Sequence, residues 1–244
     1  MLPQPDHIGP YRVLRKIGEG GMGLVLEAVH PQIERRVAIK LLRPEYARDA
    51  MLTERLFREA LAVNRIEHPC VVQISEHGQL PDGSVYLVME FLRGQTLAAW
   101  MEQHPGPAPV RLVLGLMVQI TSALAAAHDK QVVHRDLKPE NLMLLEDVAG
   151  LSELGAPRVK ILDFGIAKVN RDAPPGEKSE NGEKAPRGHN VKTATNVVMG
   201  TPQYMSPEQC QGAVYANDKS DVYSLGVMLF ERHPAHFSVE KFAV

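Results

Sequence analysis

The run His134-Arg135-Asp136-Leu137-Lys138-Pro139-Glu140-Asn141, taken with Asp163-Phe164-Gly165 downstream, restricts the possible folds more than any other feature of the chain. Two acids, an amide and a lysine fall on short loops beside two apolar segments, Leu142–Leu145 and Arg158–Leu162, that read as strands. Such groups can gather hard oxygens, an ammonium and a proton acceptor in one small volume. That set suits divalent cations, a nucleotide's phosphates and a hydroxyl acceptor. The rest of the chain reads as scaffolding for it.

Upstream, Tyr11–Ile17 alternates like a strand and leads into Gly18-Glu19-Gly20-Gly21-Met22-Gly23-Leu24-Val25. In a dinucleotide-binding fold these glycines would open a helix. Here Leu24–Val29 reads as a second strand and Arg35–Leu42 as a third, so the glycines form a hairpin flap whose bare backbone can approach phosphate oxygens. On the third strand, period two puts Ala38 and Lys40 on one face and Val37 and Ile39 on the other. A helix over Ala50–Arg65 follows, with Leu52, Leu56, Ala60 and Val63 as its inward stripe and Glu59 at the stripe's edge. An acid facing a core needs a cationic partner, and Lys40 is the candidate. Strands at Val71–Ile74 and Val85–Glu90 flank a turn at Pro81-Asp82-Gly83 and complete a five-stranded upper unit. A hinge is expected near Glu90–Gly94, then helices over Thr96–Gln103, Pro109–Asp129 and Asp218–Arg232. The polar stretch Lys168–Asn196 is expected to be mobile.

Composition bounds the function. The chain is 244 residues long with a net charge of −2 and no basic run, so nucleic acid is not an expected partner. The residues Met1–Pro10 lack a signal-peptide layout, and the apolar window Leu112–Ala127 falls short of the ~18–20 residues of a membrane span. Cys70 and Cys210 form no CxxC unit and read as reduced thiols, which points to a cytoplasmic protein with no membrane segment.

Taken together the pieces resemble the protein-kinase superfamily. The motifs are the glycine loop at Gly18–Val25, Val37–Lys40, His134–Asn141, Asp163–Gly165, and Ser206-Pro207-Glu208 where Ala-Pro-Glu is usual. The wording of Gly20–Gly23 and of Gly200–Gln209 is most similar to bacterial "eukaryotic-like" serine/threonine kinases, and the resemblance covers about Tyr11–Phe230. It implies an α+β, two-lobed fold: a tail (1–10), an N-lobe (11–91) with a five-stranded antiparallel sheet and one main helix, a mostly helical C-lobe (92–232) and an atypical tail (233–244).

The resemblance also implies an ATP- and Mg2+-dependent transferase that signals by phosphorylating Ser/Thr of protein substrates, with its own activation loop among them. Lys40 would hold the α- and β-phosphates, steadied by Glu59. Asp136 would accept the hydroxyl proton, Lys138 would reach the transferred group, and Thr201 would buttress both. Asn141 and Asp163 would bind Mg2+. Ile17, Gly18, Glu19, Gly20, Gly21, Met22, Gly23 and Val25 would cover the nucleotide. Val25, Ala38 and Met143 would sandwich its base, with Met89 behind and the backbone of Glu90–Leu92 along its edge. Lys138 and Thr201 favour serine and threonine over tyrosine as acceptors. Phosphate on Thr193 or Thr195 is expected to pair with Arg135. Phe164 would pack against the helix carrying Glu59, and Asp221 would support the catalytic loop's backbone.

The ending departs from the family pattern. Several helices expected after Arg232 are not matched by His233–Val244, and the arginine that would pair with Glu208 has no counterpart. A truncated C-lobe would leave the Asp218–Arg232 helix an apolar flank for a partner and lower stability. It would also admit a second reading, a nucleotide-binding or docking module with little or no catalysis.

Overall fold

The structure is a computed structural model that describes residues 5–20, 23–43, 50–146, 155–164, 202–212 and 215–232. A six-stranded antiparallel sheet forms the upper lobe: β1 (His7–Ile8), β2 (Tyr11–Gly20), β3 (Gly23–His30), β4 (Arg35–Leu42), β5 (Ile74–Gln79) and β6 (Val85–Glu90), in the order β1-β2-β3-β4-β6-β5. The glycine run joins β2 to β3 as a hairpin, as expected. Gly23 has to be glycine, because a Cβ there would sit 1.9 Å from the Leu41 carbonyl oxygen. Helix α1 (Ala50–Asn64) lies on the sheet, burying Leu56 and Ala60 with Leu42, Ile74, Val85 and Leu87.

Three details differ from the sequence reading. The tail contributes β1, since Ile8 is fully buried and its strand pairs with β2, which makes six strands instead of five. The strand expected at Val71–Ile74 starts at Ile74, and Val71 bridges instead to Ile161 in the lower lobe. Both residues are buried, so hydrophobicity marked them alike; which partner each finds is a tertiary outcome. Past the hinge, β7 (Gly94–Thr96) pairs with β8 (Leu142–Leu145), which pairs with β9 (Val159–Ile161). Gly94, expected as the end of the hinge, opens β7, where a Cβ would meet the Leu144 carbonyl oxygen at 1.9 Å.

The lower lobe adds α2 (Leu97–Gln103), capped by the Thr96 hydroxyl, α3 (Val110–Asp129), α4 (Pro207–Gln211) and α5 (Asp218–Arg232). At 20 residues α3 is long and apolar enough to cross a membrane, so length does not exclude a span as the sequence reading held. One face of it is in the core, where Leu116, Ile120, Ala123, Leu124 and Ala127 pack with Leu137, Leu142, Ile161 and Phe164, while Val110, Leu114 and Val118 are exposed. On α5, Val222 (61% exposed), Tyr223 (44%) and Phe230 (49%) form the expected apolar flank. Glu208 is a correction. It is half-exposed and accepts a hydrogen bond from Ser220 Oγ at 2.6 Å, so it is not the buried, partnerless acid that the missing arginine implied.

Candidate active site

The catalytic loop hangs from α5. Asp221, 1% exposed, accepts the backbone N–H of His134 on Oδ2 and that of Arg135 on Oδ1, each at 2.9 Å. This is the supporting role read from the sequence. Arg135 takes a left-handed φ of 64°, which a side chain adopts only when its surroundings hold it. The buried His134 ring braces the next stretch: Nε2 meets the Leu162 carbonyl at 2.9 Å, and Nδ1 receives the Asp136 N–H at 3.3 Å. One neutral tautomer satisfies both contacts, so His134 packs and bonds, as expected, and is not needed as a base.

Folding gathers the chemistry-bearing groups. Lys40 on β4 crosses from the upper lobe and pairs with Asp163 at 2.7 Å. Lys138 Nζ lies 3.2 Å from Asp136 Oδ2. Asn141 donates to the Asp136 carbonyl at 2.8 Å and, more weakly, to its carboxylate at 3.4 Å. Burial opposes the charge of Asp163, but the Lys40 ammonium, with smaller help from Lys138, holds its carboxyl below the usual range. Asp163 is therefore an anion at neutral pH. Glu59 is half-buried on α1, while the ion pair of Lys40 is with Asp163.

Asn141 spends its amide N–H on Asp136, which leaves its oxygen as a hard ligand beside the ionised Asp163. No cluster of three His, Cys, Asp or Glu side chains suited to a metal occurs among the described residues. One carboxylate and one amide oxygen fit Mg2+, which is commonly held by one or two such groups together with substrate phosphates and water.

The residues expected around the base are placed as follows. Strand register sets Val25 opposite Lys40 and Ala38 opposite Met89, and Met143 lies on β8 of the lower lobe. Glu90 and Leu92 are at the hinge, and Ile17, Gly18, Glu19, Gly20 and Gly23 form the flap's stem. Gly21, Met22, Gly165, Thr193, Thr195, Thr201 and the stretch Lys168–Asn196 lie outside the described residues. Phe164 is buried in the cluster that holds Val63 of α1 and stacks at a tilt on His134, 4.8 Å between ring centres.

Three contributors escaped the sequence reading. Lys160 Nζ, nearly buried on β9, pairs with the hinge carboxylate of Glu90 at 2.6 Å and donates to the Val71 carbonyl at 3.1 Å. A lysine inside an apolar strand was the available signal. His128 Nε2 contacts Asp221 at 2.8 Å, and its position in the last turn of an apolar helix marked it weakly. Gln209 Nε2 donates to the Arg135 carbonyl at 2.8 Å across 74 residues of chain, a contact that no local pattern announces.

Comparison with known proteins agrees with this geometry. The protein kinase domain model matches residues 11–239. The chain is 39% identical over 229 residues to the serine/threonine-protein kinase pkn2 of Myxococcus xanthus, covering 93% of this chain and 25% of that protein. It is 38% identical over 223 residues to the serine/threonine-protein kinase PrkC of Bacillus subtilis, covering 91% and 30%. A crystal structure of a double mutant of the Mycobacterium tuberculosis PknI kinase domain superposes with a TM-score of 0.63 at 26% identity, covering 88% of this chain and 71% of that one. The chain thus spans about a quarter to a third of the length of these two curated relatives. With its motifs, its fold and its gathered Lys40, Asp136, Asn141 and Asp163 in agreement, the chain belongs to the protein kinase family.

Proposed function

We propose that this chain transfers the γ-phosphoryl group of ATP to serine and threonine hydroxyls of proteins, including those of its own activation segment. One observation carries the reading: Lys40 of the upper sheet reaches Asp163 below, beside Asp136, Lys138 and Asn141. Phosphoryl transfer asks for positioning and charge neutralisation more than for covalent chemistry, and this arrangement supplies both. Lys40 would bind the α- and β-phosphates, with Glu59 as its second partner. Asp136 would orient the acceptor hydroxyl and take its proton as the new O–P bond forms. The bond to the β,γ-bridging oxygen breaks and ADP leaves, with Lys138 countering charge on the moving group. Asn141 and Asp163 would hold Mg2+, which when bound neutralises phosphate charge.

Autophosphorylation has its own support. Arg135 Nε is buried without a hydrogen-bond partner among the described residues, a donor that a phosphate oxygen would satisfy. Thr193 and Thr195 are the proposed acceptors. ATP as co-substrate supports the reading that the protein is cytoplasmic.

The test is incubation of the purified chain with γ-labelled ATP, with and without a general protein substrate, followed by phosphopeptide mapping. Label on Ser/Thr in the wild type and a loss of about 10²–10⁴-fold in Asp136→Asn is the expected result. Nucleotide binding with no transfer to any hydroxyl would overturn the catalytic reading in favour of a binding module.

A further inference from the structure

We propose that Gln209 is a positioning residue for phosphoryl transfer: its side-chain amide holds the Arg135 carbonyl, and through that peptide the Asp136 base, in its working place. The inference rests on the kinase reading and names a residue outside the catalytic set.

Gln209 performs two jobs with one amide. At the third position of α4 it closes a capping box, its Oε1 accepting the Ser206 N–H at 3.1 Å while Ser206 Oγ receives the Gln209 N–H at 3.4 Å. The Ser206 N–H fixes which end of the amide is oxygen, so the opposite end is a donor by necessity. That donor reaches the Arg135 carbonyl at 2.8 Å. Ser206 is fully buried, so the anchor from which Gln209 reaches is rigid.

The carbonyl it holds is well chosen. Arg135 has the left-handed φ of 64°, and the peptide joining its carbonyl to Asp136 sets the direction of the base. Asp221 restrains the N–H side of Arg135 from α5, at 2.9 Å. Gln209 restrains the carbonyl side from α4. A strained residue immediately before the base is thereby clamped on both sides by two separate helices, and release of either clamp lets the peptide relax away from the acceptor hydroxyl.

Glutamate separates the two jobs. Gln209→Glu retains an oxygen for the Ser206 N–H, a standard capping-box arrangement, and suits a helix N-terminus. It places a second oxygen, instead of an N–H, against the Arg135 carbonyl. The experiment compares wild type, Gln209→Glu and Gln209→Asp by thermal melting, steady-state kinetics and amide hydrogen exchange over Gln131–Lys138. Gln209→Glu is expected to lower Tm by only a few degrees, to keep the KM for ATP, and to lose about ten- to a hundredfold in kcat, more than that fall explains. Its loop amides should exchange on the order of five- to tenfold faster. Its kcat relative to wild type should recover as pH falls through the carboxyl range, because a protonated glutamate can donate again. Gln209→Asp, too short to bridge, should lose activity without that recovery. Wild-type kcat and wild-type exchange in Gln209→Glu would overturn the proposal, as would a kcat loss that merely follows a fallen melting temperature. If the wild type itself transfers no phosphate, the kinase reading fails, and the exchange rates alone decide whether Gln209 holds the loop.

Discussion

Replacing Asp221 with asparagine should disable the loop that carries the base while leaving its shape almost unchanged. The carboxylate accepts three hydrogen bonds: His134 N–H and His128 Nε2 on Oδ2, Arg135 N–H on Oδ1. An amide has one accepting oxygen. Turned to serve His134 and His128, it sets an NH2 against the Arg135 N–H; turned the other way, it abandons two donors. In the better orientation one buried donor is orphaned, at about 1–3 kcal/mol, and two bonds to a charged acceptor become neutral ones, at about 0.5–1 kcal/mol each. The sum is about 2–5 kcal/mol, or a fall in Tm of roughly 4–20 °C for a domain of this size. Arg135, freed at its N–H, should also let Asp136 drift, so kcat falls further than Tm alone explains. Circular-dichroism melts and kinetics of Asp221→Asn, with the exposed Asp218→Asn on the same helix as control, test this. A melt within about 2 °C of wild type at full kcat would refute the idea that the loop hangs from this side chain.

Three further outcomes are expected. The hydrogen bond to Asp221 raises the His128 pKa against the opposing effect of burial. A raised folded-state value means the stabilisation is complete below about pH 6.5, where the unfolded imidazole titrates, and is lost as pH rises through the folded value. The Tm advantage of wild type over His128→Gln should therefore shrink from pH 5.5 towards pH 8.5, and a constant difference would contradict it. Lys160→Met should cost about 1–3 kcal/mol in chemical denaturation, less than the ~3–5 of a fully buried pair, because Glu90 keeps its bond from the Gln73 N–H at 2.8 Å. Chelation of divalent cations should weaken binding of a fluorescent ATP analogue by tenfold or more, read by anisotropy, because Lys40 and Lys138 are already balanced by Asp163 and Asp136 and leave no surplus positive charge for a triphosphate.

The catalytic loop was legible because its chemistry is local. His134, Asp136, Lys138 and Asn141 lie within eight residues, and their spacing alone brings them together. The inward face of Lys40 was legible from strand period, and the lower-lobe strand Leu142–Leu145 from its composition, with boundaries that match the structure. What escaped were partnerships across long separations between side chains that look ordinary in sequence. Gln209 reads as one polar residue of a short helix until Arg135 is found beside it. Ser220 reads as a helix serine until it is seen to take the place expected for an arginine against Glu208. Donors and acceptors of these kinds are common, and only the fold selects among them.

The misread strand at Val71–Ile74 shows how α1 is held. The loop after α1 belongs at its start to the lower lobe: Ile161 donates its N–H to the Cys70 carbonyl at 2.7 Å, and Val72 donates to the Ile161 carbonyl at 3.1 Å. His68 meets Ser122 of α3 at 3.1 Å, and Val63 and Ile66 are buried among α3 side chains. Earlier along α1, Leu56 and Ala60 pack on the upper sheet instead. One helix is thus fastened to the lower lobe at its C-terminal end and to the upper sheet along its middle. Glu59 lies within the stretch packed on the upper sheet, between Leu56 and Ala60, so a rotation of that sheet about the Glu90–Gly94 hinge would carry Lys40 and Glu59 together relative to Asp163 and the catalytic loop. The distance from Lys40 to Asp163 then depends on the angle between the lobes. Glu90 and Lys160, paired at that hinge, resist a change in the same angle. Substitutions at Val63 or Ile66, which seat the end of α1 in the lower-lobe core, should therefore alter nucleotide affinity through the Lys40–Asp163 separation, read by anisotropy of a fluorescent ATP analogue; unchanged affinity would contradict the coupling.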